Sequence, residues 1–276
     1  MLTGMIEAAA PISVFEQWWL DIQPALESNT LNVWQTIYKE IYLNVIKDDR
    51  WLSYLRGLEK TLEVSLLAIV VGLLLGTVLA ILRLPQIQHM DGKGKGFLKQ
   101  LGAGVCRFLS RAAGFYINLM RGTPLLLQVL LINYGIFGSI RIDKLIIGVI
   151  ACGLNSAAYV AEIVRGGIMS VEKGQTEAGR SLGLSGFRTM MYIVLPQAAK
   201  SALPAMCNEF IALIKETSVL SYIAVTELTK AGDYIRSRTF SAFTPYIVSG
   251  LLYVAVTLTL TALIGKLERR LRSSDH

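Results

Sequence analysis

Apolar residues gather into five runs separated by short polar stretches. Val64 to Leu82 carries no charge; Ala112 to Ile140 holds Arg121; Leu145 to Met169 holds Glu162 and Arg165. Ser201 to Ala224 contains Glu209, Lys215 and Glu216, and Thr239 to Gly265 contains no charge. A hydrocarbon core of ~30 Å takes about 20 residues of helix, the structure that satisfies its own backbone in lipid. The pattern predicts an all-α integral membrane protein with five transmembrane helices. The run to Ile140 is long for one span, so its membrane part is expected to start near Phe115 or at Thr123. Ahead of the spans, Leu31, Trp34, Ile37, Tyr38, Ile41, Tyr42 and Val45 recur at helical spacing behind Thr30, a good N-cap. This segment reads equally as an amphipathic helix on the outer interface or as a core helix packed on the spans. Ala68, Gly72, Gly76 and Ala80, four apart, put a smooth packing ridge on the first span.

Composition supports the bilayer as solvent: of 276 residues, 53% are hydrophobic and 17% charged. The net charge of +7 resides between the apolar runs, not on a groove-facing element, which argues against nucleic acid. Arg83, Lys93, Lys95, Lys99, Arg107 and Arg111 follow the first span against Asp91 alone, Lys173 to Lys200 adds Arg180 and Arg188, and the tail adds Lys266, Arg269, Arg270 and Arg272. Basic loops mark the cytoplasmic side, so the N-terminus is expected outside and the C-terminus inside. Glu7, Glu16, Asp21, Glu27, Glu40, Asp48 and Asp49 fit an external head, residues 1–56, ahead of a transmembrane domain, residues 57–276. Met1 to Pro11 lacks a signal peptide's basic start and apolar core, which leaves targeting to the first span. Cys106, Cys152 and Cys207 are scattered, and His89 and His276 isolated, so no metal site is expected. No nucleophile and base stand at workable spacing, so no catalytic residue is assigned.

The loop 173–200 is oddly composed for a connection. Glu177 and Ala178 favour a helix, Gly183 and Gly186 interrupt it, and Ser185 can cap a second turn. Phe187, Met190, Met191 and Ile193 give that turn an apolar face, which on the water side wants a partner. Glu177-Ala178-Gly179, Gly183, Ile193, Leu195 and Pro196 resemble the EAA loop of ABC importer permeases, with Gly179 where the family usually has Ala. Arg121-Gly122-Thr123-Pro124, the run Asn155 to Tyr159 with Glu162 and Arg165-Gly166-Gly167, and Lys215-Glu216-Thr217-Ser218 resemble its polar amino acid branch, the histidine, glutamine, arginine and cystine permeases. The resemblance runs from about Gly57 to the C-terminus and leaves the head unmatched.

The resemblance implies the type I, MetI-like permease fold in the cytoplasmic membrane, and a coupling helix that docks on a separate ATPase. That coupling set comprises Glu177, Ala178, Gly179, Gly183, Leu184, Phe187, Arg188 and Pro196. The chain has no GxxxxGK[ST] phosphate loop, so ATP and Mg are expected in the partner and no cofactor here. Two ATPases, a second permease copy, identical or paralogous, and an extracytoplasmic amino acid binding protein complete the implied assembly.

Charges at mid-bilayer cost at least ~2.5–3.5 kcal/mol each, so they face a partner or a wet path. Asn155, Tyr159 and Glu162 stand at i, i+4 and i+7 on the third span; on the fourth, Asn208, Ala212 and Lys215 form a stripe flanked by Glu209 and Glu216. Two facing stripes would line a passage, joined by Arg121, Thr123, Gln128, Thr217 and Ser218. The alternative is a Glu162–Lys215 pair that only holds the bundle. Thr123 and Pro124 read either as cap and first residue of a helix starting in the membrane, with amides open to a carboxylate, or as the plain start of a span with Arg121 snorkelling. The rival functions are an ATPase-docking scaffold without transport and an ion-coupled carrier; the latter would need inverted repeats, which are not evident.

Overall fold

The computed structural model describes residues 14–28, 30–84 and 97–273. The readings on Met1 to Pro11, His89, Asp91, Lys93, Lys95 and His276 lie outside these.

Two short helices open the described residues, α1 (Val14–Glu27) and α2 (Val33–Ile41). The cap of α2 is Asn32, not Thr30: Asn32 Oδ1 accepts from the Gln35 amide and Gln35 Oε1 from the Asn32 amide, a reciprocal box that a Glu or Gln three residues on can close and that Val33, three residues after Thr30, cannot. A wide turn, Tyr42–Ile46, and a tight one, Lys47–Asp49, lead into the long helix α3 (Arg50–Leu82). Residues 56 and 57 therefore lie on one continuous helix.

Arg107 and Arg111, expected in a loop, lie on α4 (Phe97–Gly122). Next come α5 (Leu125–Leu130) with a wide turn, Leu131–Ile136, and α6 (Lys144–Met169). The run Ala112 to Ile140 is thus two pieces, bent by 109° at the break after Gly122. Pro124 forces this corner, since it lacks an amide and turns its predecessor away from helix. The loop forms α7 (Lys173–Ser181) and α8 (Gly186–Thr189), and a wide turn, Met190–Val194, enters α9 (Leu195–Glu216). A tight helical segment, Thr217–Ile223, precedes α10 (Leu228–Thr239), and α11 (Thr244–Ser273) ends the described chain.

Among the described residues, α3, α6 and α11 are long and apolar enough to cross a bilayer, and the bent pair α4–α5 is a fourth candidate. The charges of α9 keep it below that standard. The core forms where α3 meets α6, and the predicted ridge is the reason: Ala68, Gly72, Gly76 and Ala80 are all buried. A Cβ at Gly72 would stand 2.9 Å from Ser156 Oγ, and one at Gly76 2.7 Å from the Ala157 carbonyl oxygen. Val64, Ile69, Ile147, Cys152, Leu213 and Leu220 fill the centre where α9 joins this pair.

Candidate functional site

The α6 stripe exists, and it faces the α4–α5 corner. Asn155 Nδ2 donates to Gln128 Oε1 at 2.9 Å. Gln128 Nε2 donates in turn to the Met120 carbonyl at 2.8 Å, the Thr123 carbonyl at 3.1 Å and Thr123 Oγ1 at 2.8 Å. Breaking a helix orphans its last carbonyls, and one buried side chain recovers them. One turn along, the Arg121 guanidinium lies 5.6 Å from the centre of the Tyr159 ring and 3.9 Å from Glu162, while Arg165 binds the same carboxylate at 2.6 Å. The Glu162–Lys215 pair is not formed, because α6 turns Glu162 toward Arg121, with Arg165 of α6 itself as its nearer partner.

Thr123 does not cap α5. Its hydroxyl donates back to the Leu119 carbonyl at 2.8 Å, and Pro124 itself holds the position before the first helical residue. Nor do the two polar stripes meet. Toward α9, α6 presents Ser156, whose hydroxyl donates to Glu209 Oε1 at 2.8 Å. Asn208 and Lys215 are exposed, Glu216 is half-buried, and the buried Thr217 hydroxyl bonds the Ile214 carbonyl at 2.7 Å as a helix-end cap.

Lys215 and Ser218 border two adjoining cavities that the spacing of the chain did not reveal. The larger, about 510 Å³, is lined by Ser218, Ser221, Tyr222, Thr229, Lys230, Asp233 and Tyr246, among others. The second, about 370 Å³, adds Lys215, Ser249 and Tyr253. Their wall is α10, which lies between the fourth and fifth apolar runs; its Leu228, Ala231 and Ile235 stand at helical spacing and are buried. Glu227, fully buried, caps α10 by accepting from the Thr229 and Lys230 amides, both at 2.8 Å, and from the Tyr253 hydroxyl at 2.8 Å. Asp233 accepts from Lys230 at 3.0 Å, Arg236 at 3.1 Å and the Tyr246 hydroxyl at 3.1 Å. The Lys230 hydrogen bond, ahead of the others, holds its carboxyl below the usual aspartate value. The cavity thus pairs fixed charges of both signs with serine, threonine and tyrosine hydroxyls.

At the far end of α6, about 39 Å long at ~1.5 Å per residue, stands the α7–α8 loop. Gly183, at φ +82°, ends α7: the Leu184 amide reaches the Gly179 carbonyl at 3.1 Å and the Gly183 amide that of Arg180 at 3.0 Å. Ser185 caps α8, accepting from the Arg188 amide at 3.3 Å. Glu177, Ala178, Arg188 and Pro196 are exposed, as is Phe187 at 75%. The predicted apolar face divides: Phe187 and Met191 point outward, while Met190 and Ile193 turn inward. A Cβ at Gly179 would meet Ile193 Cδ1 at 2.7 Å and Thr189 Cγ2 at 2.9 Å, so this glycine lets α7 rest on the following turn. Leu182, 83% exposed, joins the outward knob and was missed because it precedes the turn glycine.

These features define a multi-pass helical membrane protein with a polar cavity near one end of its central helix and an exposed helix–turn–helix at the other. The chain belongs to the family of binding-protein-dependent transport system inner membrane components, whose pattern matches residues 101–273. Among its relatives, the arginine transport system permease protein ArtQ of Bacillus subtilis (strain 168) is 34% identical over 223 residues, 80% of this chain and 93% of that protein. The glutamine transport system permease protein GlnP of Escherichia coli (strain K12) is 34% identical over 221 residues, 79% and 92% respectively. A solved amino acid ABC transporter with histidines matches at TM-score 0.67 and 39% identity, over 79% of this chain and 94% of its own. The MetNI methionine ABC transporter, at TM-score 0.64 and 16% identity over 82% of this chain and 99% of that one, shares the fold.

Proposed function

We propose that this chain is the permease subunit of an ATP-driven importer of polar amino acids. The observation that carries this reading is the outward knob of Leu182 and Phe187 on a rigidly capped turn, 83% and 75% exposed, in a chain whose family serves binding-protein-dependent transport. Such a surface fits a cleft on an ATPase. That the arginine and glutamine permeases are relatives supports the substrate class. The working membrane unit consists of five spans, α3, α4–α5, α6, α9 and α11, with the N-terminus outside and the C-terminus inside. Two ATPases, which hold ATP and Mg, a second permease copy and an extracytoplasmic binding protein complete it.

Solute passes from the cavity of Lys215, Ser218, Thr229, Lys230 and Asp233 along α6. The Arg121, Gln128, Asn155, Tyr159 and Glu162 cluster sets how the α4–α5 corner stands against that helix. Each opening of the path is favoured by differential contacts of the knob with the two nucleotide states of the ATPase.

Proteoliposomes holding this chain, its ATPase and its binding protein test the reading. ATP-dependent uptake of labelled glutamine, arginine or histidine is expected. ATPase binding without uptake of any of them would establish a scaffold instead, and uptake that follows an ion gradient without ATP would establish a carrier.

A further inference from the structure

The head precedes the part of the chain that resembles the permease family, and the proposed function makes no use of it; the structure describes it from Val14, apart from residue 29. One side of it is committed inward. Trp19 stacks on Tyr42 at 4.7 Å between ring centres, Trp18 meets Tyr38 at 5.4 Å, and Tyr42 is buried. The head is also tied to the corner between α10 and α11. Glu40 Oε2 accepts from Ser241 Oγ at 2.5 Å and Thr244 Oγ1 at 2.8 Å, and Asn44 Oδ1 accepts from Thr239 Oγ1 at 2.7 Å.

That corner is a depth gauge. The apolar, almost wholly unburied stretch of α11 begins at Thr244, so its first turn marks the boundary of the bilayer. The hydrogen bond that the Thr244 hydroxyl donates to Glu40 Oε2 sets the last turn of α2 at the same level. Here α2 leaves one face uncovered by the described residues: Val33, Trp34, Ile37 and Ile41 fall within about 100° of arc, are all exposed, and include no charge. Phe240 and Phe243, also exposed, flank the anchoring Ser241, and Phe240 takes a left-handed backbone, φ +55°, that a bulky residue rarely adopts. Tryptophan and other aromatic rings at this depth are the composition of a lipid interface. With Glu16, Asp21, Glu27, Glu40, Asp48 and Asp49 against Lys39 and Lys47, the head gains nothing from anionic headgroups, so apolar insertion is its means of attachment.

We propose that the head is a clasp: its Val33, Trp34, Ile37 and Ile41 face seats in the lipid interface at the N-terminal end of α11, while Glu40 and Asn44 pin the α10–α11 corner. Because α10 walls the polar cavity, the clasp ties that wall to the bilayer surface.

The test uses the full chain in phosphatidylcholine nanodiscs, with Trp18, Trp19 and Trp51 replaced by Phe so that Trp34 alone emits. Lipid brominated near the headgroup should quench Trp34 about twofold, and lipid brominated deep in the chain much less. Absence of lipid quenching overturns the proposal, whether iodide reaches Trp34 freely or is excluded only after a partner protein is added. Since the Phe replacements disturb the inner ring stack, a nitroxide at Ile37→Cys, with Cys106, Cys152 and Cys207 changed to Ser and every Trp kept, gives an independent reading. Collision with oxygen should exceed collision with a water-soluble nickel chelate; the reverse overturns the seating. Glu40→Ala with Asn44→Ala should speed amide hydrogen exchange at residues 236–244 several-fold and leave α6 unchanged; unchanged exchange at the corner overturns the clasp.

Discussion

Asn155 of α6 and Gln128 of α5 join beside the break in the α4–α5 span, Nδ2 to Oε1 at 2.9 Å, a bond that helps to fix where the broken helix stands against α6. Both side chains are buried, so removing one leaves the other's polar atoms unmatched. Asn155→Leu is expected to lower stability by about 1–3 kcal/mol, read as a fall in the melting temperature of the protein in nanodiscs. Gln128→Leu should cost at least as much, because it also strands the Met120 carbonyl. Unchanged melting of both variants would show that the corner is held by packing alone.

Arg165 and Glu162 give the opposite expectation for stability. The pair is partly exposed and worth ~0.5 kcal/mol or less, so Arg165→Gln should melt within about a degree of the parent. Uptake should nonetheless fall roughly tenfold, since Glu162 is left with Arg121 as a partner at 3.9 Å. Equal uptake in the variant would remove this cluster from the path.

Helix contact at Gly76 predicts a steric failure. A Cβ there would sit 2.7 Å from the Ala157 carbonyl oxygen, which is backbone and has no room to yield. Gly76→Ala should cost about 1–3 kcal/mol, whereas Gly104→Ala, with nothing within 4 Å of the new methyl, should be neutral or slightly stabilising. Melting curves of the two variants side by side decide it.

On the knob, Phe187→Ala removes exposed surface and no internal contact worth more than a few tenths of a kcal/mol, so the permease should fold unchanged. Binding-protein-stimulated ATP hydrolysis by the assembled complex should drop about tenfold or more. Full stimulation in that variant and in Leu182→Ala would place the ATPase contact elsewhere.

The carboxyl of Asp233 sets a pH expectation. Its folded value lies below the ordinary 3.8, chiefly through Lys230, so its stabilisation is complete above that ordinary value and fades as pH falls through the lower, folded one. Asp233→Asn should therefore lower the melting temperature by a constant margin from pH 7 to about 5, and the margin should close only below about pH 4. A margin that already closes between pH 7 and 5 would mean another group carries the effect.

Local order was legible in the residues themselves. Apolar runs located the long helices, Ala68, Gly72, Gly76 and Ala80 announced a packing ridge on α3, and Ser185 and Gly183 marked the turn of the loop, because helix period, capping and left-handed backbone are matters of near neighbours. The i, i+4, i+7 placement of Asn155, Tyr159 and Glu162 likewise guaranteed a shared face. What that face meets was not written there. Arg165, three residues on along the same helix, is a local partner of Glu162; whether Lys215 also reached that carboxylate was open, and the rotation of α6 toward the α4–α5 corner gave it Arg121 instead. That same rotation gave Ser156, one residue on, to Glu209. Likewise α10, too short to announce itself as a span, takes its place because Gly57 lets Leu228 and Ala231 close on α3 while Glu227 and Tyr253 hold it to α11. Period and capping are one-dimensional properties, whereas the partner of a buried charge is chosen by contacts between residues far apart in the chain, and those exist only once the helices have packed.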